Sequence, residues 1–312
     1  MYLIKQLAKQ MYLRKENRER PYILFLGAGI SVSSGISNMN DMIDRFLTDT
    51  GNVSRDDLDK MDKDQRFEKF FLAIQNLSEV DRYHWLRDGF KNAAPSFGYQ
   101  ALTKLIEDGY IDTIFTTNWD ELLEMSLMKS NKIKEKKDYR IYARGVDRDD
   151  FIISQFRSHA FPSIKIVKLH GELESRVILV TPQETSEFPT EFARFFREEI
   201  FRSRDIIMVG YSVSDQDVKN CMEPEHNSLY YVNPKPPNDD LLKKFNHLEQ
   251  ITGDDINFDT FMSNLAEAIS QEEIRMRAGV PDKLLEKFSE DIQKIREDFD
   301  LLVEFLKNPK MN

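Results

Sequence analysis

Five short apolar runs constrain this chain more than any other feature: residues 22–26 (YILFL), 111–115 (IDTIF), 164–169 (IKIVKL), 206–209 (IIMV) and 229–232 (LYYV). Each is far too short to cross a membrane, and hydrophobicity that is nearly continuous along a strand means that both of its faces are covered. With helical stretches between them, the runs predict an α/β protein, a Rossmann-like parallel sheet flanked by helices. Such sheets bind ligands beyond the carboxyl ends of their strands, near the switch point of the topology. The residues that follow each run are therefore the candidates for function.

The first run passes into Gly27-Ala28-Gly29-Ile30-Ser31 and the second into Thr116-Thr117-Asn118-Trp119-Asp120. The third precedes His170-Gly171-Glu172, the fourth Gly210-Tyr211-Ser212-Val213-Ser214-Asp215, and the fifth Asn233-Pro234. One rim thus collects amide, imidazole, carboxylate and hydroxyl groups. In the glycine turn, Gly27 permits a sharp exit from the strand, Gly29 lets a ligand approach the backbone, and the helix that follows turns its N–H groups toward a pyrophosphate. An ordinary dinucleotide fingerprint is not met, because Val32 stands where G-x-G-x-x-G needs its third glycine and no acidic residue caps a second strand. That disfavours a hydride-transfer dehydrogenase. A tight strand-to-helix turn with no ligand is the plain alternative for this segment alone.

Charge narrows the partners. The net charge is -10, from 44 basic and 54 acidic residues interleaved along 312 positions, so no basic stripe marks a nucleic-acid partner. Cys221 is the only cysteine, which excludes an internal disulfide and any zinc site needing two thiolates. His84, His159, His226 and His247 have no convincing ligand spacing, and no catalytic metal is expected. With neither a signal-peptide core nor an apolar run of membrane length, the expected compartment is cytoplasmic, with no membrane partner.

The organisation expected is an N-terminal helix over 1–20, a main domain over 21–270 with a helical insertion at about 40–95, and a C-terminal helix over 280–308. The insertion follows from charged, helically patterned text such as FEKFFLAIQNL at 67–77. Residues 130–160 are charged and weakly periodic and are expected to form a mobile flap or a second small insertion. Leu284, Leu285, Phe288, Ile292, Ile295, Phe299, Leu302 and Leu306 repeat at steps of mostly three and four residues. Such a seam packs either on its own domain or on another subunit, and a homo-oligomer is expected.

GAGIS with SSGI, then TTNWD, LHGE, GYSVSD and VNP resemble the sirtuin family in order and approximate spacing, over roughly residues 22–269. The resemblance implies a domain that binds NAD, as substrate, in an extended pose. It implies that Gly27, Ala28, Gly29 and Ser31 hold the pyrophosphate, that Thr117, Gly210 and Ser212 line the channel, and that Asn233 contacts the adenine ribose. Asn118 would hold the nicotinamide-side ribose or the attacking water, His170 would be the catalytic base and Asp120 would orient this group, or else cap the helix that begins with ELLEMSL. Glu172 and Asp215 would be supporting groups or loop caps.

Two departures set the branch. Protein-deacylating sirtuins carry a four-cysteine zinc module that this chain cannot build, and Ser37-Asn38-Met39-Asn40 replaces the Pro-Asp-Phe-Arg that shields the reacting ribose. Both departures resemble the prokaryotic sirtuin-like branch that hydrolyses NAD in anti-phage defence, as in Thoeris effectors and sirtuin-like proteins paired with HerA-type ATPases. The implied activity is NAD+ glycohydrolysis to nicotinamide and ADP-ribose. A noncatalytic NAD- or ADP-ribose-binding module of a defence complex and a zinc-free protein deacylase are the alternatives.

Overall fold

The computed structural model describes residues 2–278 except 159–160, 181, 186–187, 214, 223–226, 238–239, 241 and 246, and beyond these only 287, 291, 294, 295 and 298. All five apolar runs are strands of one parallel sheet. They are β1 (Tyr22–Leu26), β2 (Ile111–Thr116), β4 (Ile164–Lys168), β7 (Ile206–Val209) and β8 (Ser228–Val232). Two further strands, β3 (Tyr139–Ala143) and β9 (His247–Ile251), complete the order β3-β4-β2-β1-β7-β8-β9. A two-stranded hairpin, β5 (Gly171–Glu172) and β6 (Val177–Ile178), stands apart from the sheet.

Every residue of β1 is buried, and its alternation sorts the core into two. Leu24 and Leu26 face one apolar cluster while Ile23 and Phe25 face another, as the two-residue period of a strand requires. The first cluster is closed by α1 (Tyr2–Glu16), α6 (Phe97–Glu107), α7 (Leu122–Met128) and α12 (Phe258–Ala278). The second is closed by α8 (Asp149–Arg157), α10 (Thr190–Phe195), a π-helical turn (Phe196–Phe201) and α11 (Gln216–Cys221). Phe192, Phe195, Phe196 and Phe201 make this second face an aromatic layer. The result is three layers with both sheet faces covered.

Between β1 and α6 lie four helices: α2 (Met39–Asp49), α3 (Arg55–Leu58), α4 (Lys63–Gln75) and α5 (Glu79–Phe90). Their starts are written locally. Asn38, Ser54 and Ser78 each accept a backbone N–H three residues on, and Asp62 with Gln65 forms a reciprocal capping box. Phe46 meets Phe70 and Trp85 edge to face at 5.1 and 4.8 Å, which gives these helices their own aromatic centre.

Residues 130–160 depart from the flap expected there, because they supply β3 and α8 to the main body. β3 is an edge strand, so its outer side need not be apolar, and Arg140 lies with its guanidinium 5.1 Å from the rings of both Tyr142 and Phe151. The other edge, β9, is the equally polar HLEQI. Residues 284–306, expected as a seam, fall almost wholly outside the described residues, as does the C-terminal helix expected over 280–308.

Candidate active site

The carboxyl ends of β1, β2, β4, β7 and β8 converge where β1 is flanked by β2 on one side and β7 on the other, the switch point of the sheet. After β1 the chain makes a 3-10 turn over Ala28–Ser34 that ends at Gly35 with φ 89°. A side chain at Gly27 would put Cβ 2.5 Å from Tyr211 Cα, and one at Gly29 would put it 2.8 Å from the Gly210 carbonyl oxygen. It is therefore the β7 loop, instead of the ligand expected at Gly29, whose close approach demands glycine here. The amides of Gly27 and Gly29 donate to the carbonyls of Val209 and Gly210, and that of Ile30 donates to Gly27. Ala28, Gly29, Val32 and Ser33 form the exposed edge of the turn.

Ser31 lies behind that edge, 1% exposed, and not on the outer surface where a pyrophosphate contact was expected. Its hydroxyl donates to Asp120 Oδ2 at 2.8 Å, accepts from Asn118 Nδ2 at 3.1 Å and lies 3.1 Å from the Tyr99 hydroxyl. Asp120 Oδ1 accepts the backbone N–H of Leu122, so this carboxylate both starts α7 and anchors Ser31. Burial raises the Asp120 pKa, against the opposing pull of Lys168. Tyr99 is likewise raised by burial and stays neutral. With its Nδ2 engaged, Asn118 keeps Oδ1 buried with no partner among the described residues. An orphan acceptor in such a place fits a hydroxyl or a water brought by a substrate.

His170, 5% exposed, stands two residues past the end of β4, after Leu169. Its carbonyl accepts the indole N–H of Trp119 at 2.9 Å, which stitches the Asn118 loop to the histidine. Gly171 has φ 81°, and a Cβ there would stand 2.1 Å from the Val177 carbonyl, so the hairpin β5–β6 requires glycine after the histidine. The ring Nε2 lies 3.3 Å from Oδ2 of Asp217, itself 3% exposed in the first turn of α11. From the sequence, Asp215 was the expected supporting acid, whereas the structure brings Asp217 to the histidine. The signal was present in the D-x-D of SVSDQD, whose second acid is the one that α11 turns inward.

Residues 112–231 match the family model of the SIR2-like domain. Over these residues the chain is similar to the SIR2-like domain. Among curated proteins, NAD(+) hydrolase ThsA of Acinetobacter baumannii (strain 532279) is 26% identical over 211 residues, 65% of this chain and 39% of that protein. NAD(+) hydrolase ThsA of Cytobacillus dafuensis is 23% identical over 220 residues, 70% of this chain and again 39% of that protein. The chain therefore matches about two fifths of the length of these relatives. Among solved structures, a Sir2 homologue in complex with NAD is 15% identical with a TM-score of 0.47, covering 86% of this chain and 94% of its own. A Sir2 homologue variant in complex with ADP-ribose is 16% identical with a TM-score of 0.49, covering 86% and 96%.

One further residue of the sirtuin-like site was passed over in the sequence. Lys168, 1% exposed at the end of β4, donates to the carbonyl of Asp120 at 2.8 Å and to Glu124 Oε1 at 2.6 Å. Burial works against its charge, but Glu124 and Asp120 outweigh it and hold the ammonium pKa above its usual value. Its signal was a lysine in an otherwise apolar strand end, IKIVK.

Around this centre Thr117 is half-buried and donates its amide to the Leu26 carbonyl. Ser212 is exposed, Gly210 turns with φ 64°, and Asn233 Nδ2 donates to the Tyr211 carbonyl at 2.8 Å. Glu172 accepts the Ser175 hydroxyl, and Asp215 stands at the N-cap of α11 without a side-chain cap bond. Burial pushes the Cys221 thiol up to about 11, too high for a nucleophile at neutral pH. Among the described residues no group of three or more His, Cys, Asp or Glu is arranged to hold a metal ion, and no helix is long and apolar enough to cross a membrane.

Proposed function

We propose that this chain is an NAD+ glycohydrolase that releases nicotinamide and ADP-ribose. The observation that carries the reading is the orphan Oδ1 of buried Asn118, one residue from the indole that grips His170. The SIR2-like match and the names of the two ThsA hydrolases support the substrate. Nicotinamide in NAD+ is already a cationic leaving group, so its bond to C1' breaks with the electron pair passing to the ring nitrogen. The oxocarbenium-like ribose that forms needs orientation and a nucleophile more than it needs acid catalysis. Asn118 Oδ1 holds water or a ribose hydroxyl, and His170 takes the proton that the attacking oxygen releases.

Ser31 and Asp120 act through Asn118, keeping its amide turned so that Oδ1 faces the substrate. We assign the pyrophosphate to the outer edge of the turn at Ala28 and Gly29 with Ser212, and the riboses to Thr117, Gly210 and Asn233, whereas Gly27, buried with its amide given to Val209, shapes the turn. Residues 21–270 are taken as the NAD-binding unit, with residues 1–20 as an N-terminal helix and 280–308 as a C-terminal one. The reading extends to NAD depletion in anti-phage defence by a cytoplasmic homo-oligomer, with a HerA-type ATPase or another defence protein as partner. The apolar seam at 284–306 and the relatives' names support that extension.

The test is incubation of the purified chain with NAD+ and no acylated peptide, following nicotinamide and both linear and cyclic ADP-ribose by chromatography. Nicotinamide release lowered by about 10²-fold or more in Asn118→Ala and His170→Ala is the expected result. Release that survives both substitutions overturns these assignments. A silent wild type that still binds NAD+ favours the noncatalytic binding module.

A further inference from the structure

Asp217 is not explained by the fold. An acid in the first turn of a helix is ordinarily solvated, and burying a carboxylate is costly unless it is paired. Asp217 is 3% exposed. Its Oδ1 accepts the backbone N–H of Val218 at 2.9 Å, and its Oδ2 faces His170 Nε2. Among the described residues, charged or titratable groups that feel Asp217 include Arg144 at the end of β3, Tyr211 in the β7 loop and Cys221 on α11 itself. The loop that delivers it is strained. After Gly210 the chain turns left-handed a second time at Val213, φ 56°, a conformation that strains a β-branched residue. Val213 is held there by complete burial in the aromatic face of the core.

We infer that Asp217 is the positioning residue for His170: its carboxylate accepts the Nε2–H and leaves the Nδ1 lone pair as the base. The inference rests on the NAD+ hydrolase reading. A neutral imidazole carries one proton, and the bond made at one nitrogen decides which nitrogen is basic. As the attacking oxygen bonds to C1' and nicotinamide leaves with the electron pair of the C1'–N bond, the released proton passes to Nδ1. The imidazolium so formed keeps its Nε2 proton directed at the Asp217 carboxylate.

The experiment uses the full chain labelled with 15N-histidine at pH 8, above the ordinary range of a free imidazole. His170 is assigned by the signals missing in His170→Ala, and its tautomer is read from long-range proton–nitrogen couplings. The wild type is expected to carry the proton on Nε2. Asp217→Asn, whose amide can donate to the ring, is expected to shift it to Nδ1, with kcat for nicotinamide release falling about 10²-fold or more and KM for NAD+ changing less than about threefold. A wild-type ring protonated on Nδ1 overturns the inference without any variant. So does an unchanged tautomer, or an unchanged kcat, in Asp217→Asn. A silent wild type sinks the hydrolase reading instead, while the ring tautomer still decides whether Asp217 orients His170.

Discussion

Lys168 shows how a single side chain can hold two strand ends in register. Its ammonium leaves water almost entirely and is met by Glu124 and the Asp120 carbonyl, so the strand leading to His170 is tied to the loop carrying Asn118. Removing one member of a buried ion pair strands the other. Lys168→Met is therefore expected to lower the unfolding free energy by about 3–5 kcal/mol, whereas adding Glu124→Gln recovers a substantial part of the loss. Urea denaturation of the two single variants and the double variant measures this; a double variant no more stable than Lys168→Met alone refutes the pairing. At this scale the sequence was readable where a polar residue follows a strand end, as at Asn118 and His170, both buried at that rim. It was unreadable where a side chain's role depends on what faces it, as for Ser31, Lys168 and Asp217.

At the scale of elements, the four helices α2–α5 are defined by their caps, and their attachment to the body is a tertiary matter. Arg82 on α5 donates to Glu184 at 2.7 Å, and Glu184 also accepts the Val180 N–H at 2.9 Å. Glu184 lies on α9 (Pro182–Thr185), so this pair links the inserted helices to the chain just beyond the His170 hairpin. The Arg82 side chain is 11% exposed and that of Glu184 is 32% exposed, a partly buried, charge-assisted contact. Arg82→Met is expected to speed amide hydrogen exchange across α5 and residues 182–185 by about tenfold, the equivalent of 1.4 kcal/mol, with β1 and β2 unchanged. Exchange detected by mass spectrometry decides it, and equal protection in both proteins would show that the link carries no weight. The strand signals were clear for the central strands because both of their faces are apolar. They failed at β3 and β9 because the faces of an edge strand are covered less, so Arg140, Glu249 and Gln250 are tolerated there.

Across the whole molecule, the first and last described helices close on each other. Lys15 on α1 approaches Glu273 on α12 at 3.5 Å, and the Tyr110 hydroxyl, just before β2, donates to Glu273 at 2.6 Å. The Tyr110 hydrogen bond, aided by Lys15, holds the Glu273 carboxyl below its usual pKa. A lowered carboxylate pKa stabilises the fold above the unfolded value near 4.3, and that stability is lost as pH falls through the folded one. Glu273→Gln is thus expected to cost about 0.5–1 kcal/mol at pH 7 and progressively less as the pH drops below about 4. Urea titrations at both pH values test the sign, which a constant difference would contradict. The sequence by itself determined the α/β class, the central strands and the rim where chemistry gathers, because continuous hydrophobicity and turn residues act over a few neighbours. Only the tertiary structure decided that glycine at 27 and 29 serves the β7 loop, that Asp217 reaches His170, and that Lys168 and Ser31 anchor the Asn118 loop. Those contacts join residues 47 to 184 positions apart in the chain, and no local pattern records which of many buried polar groups will meet.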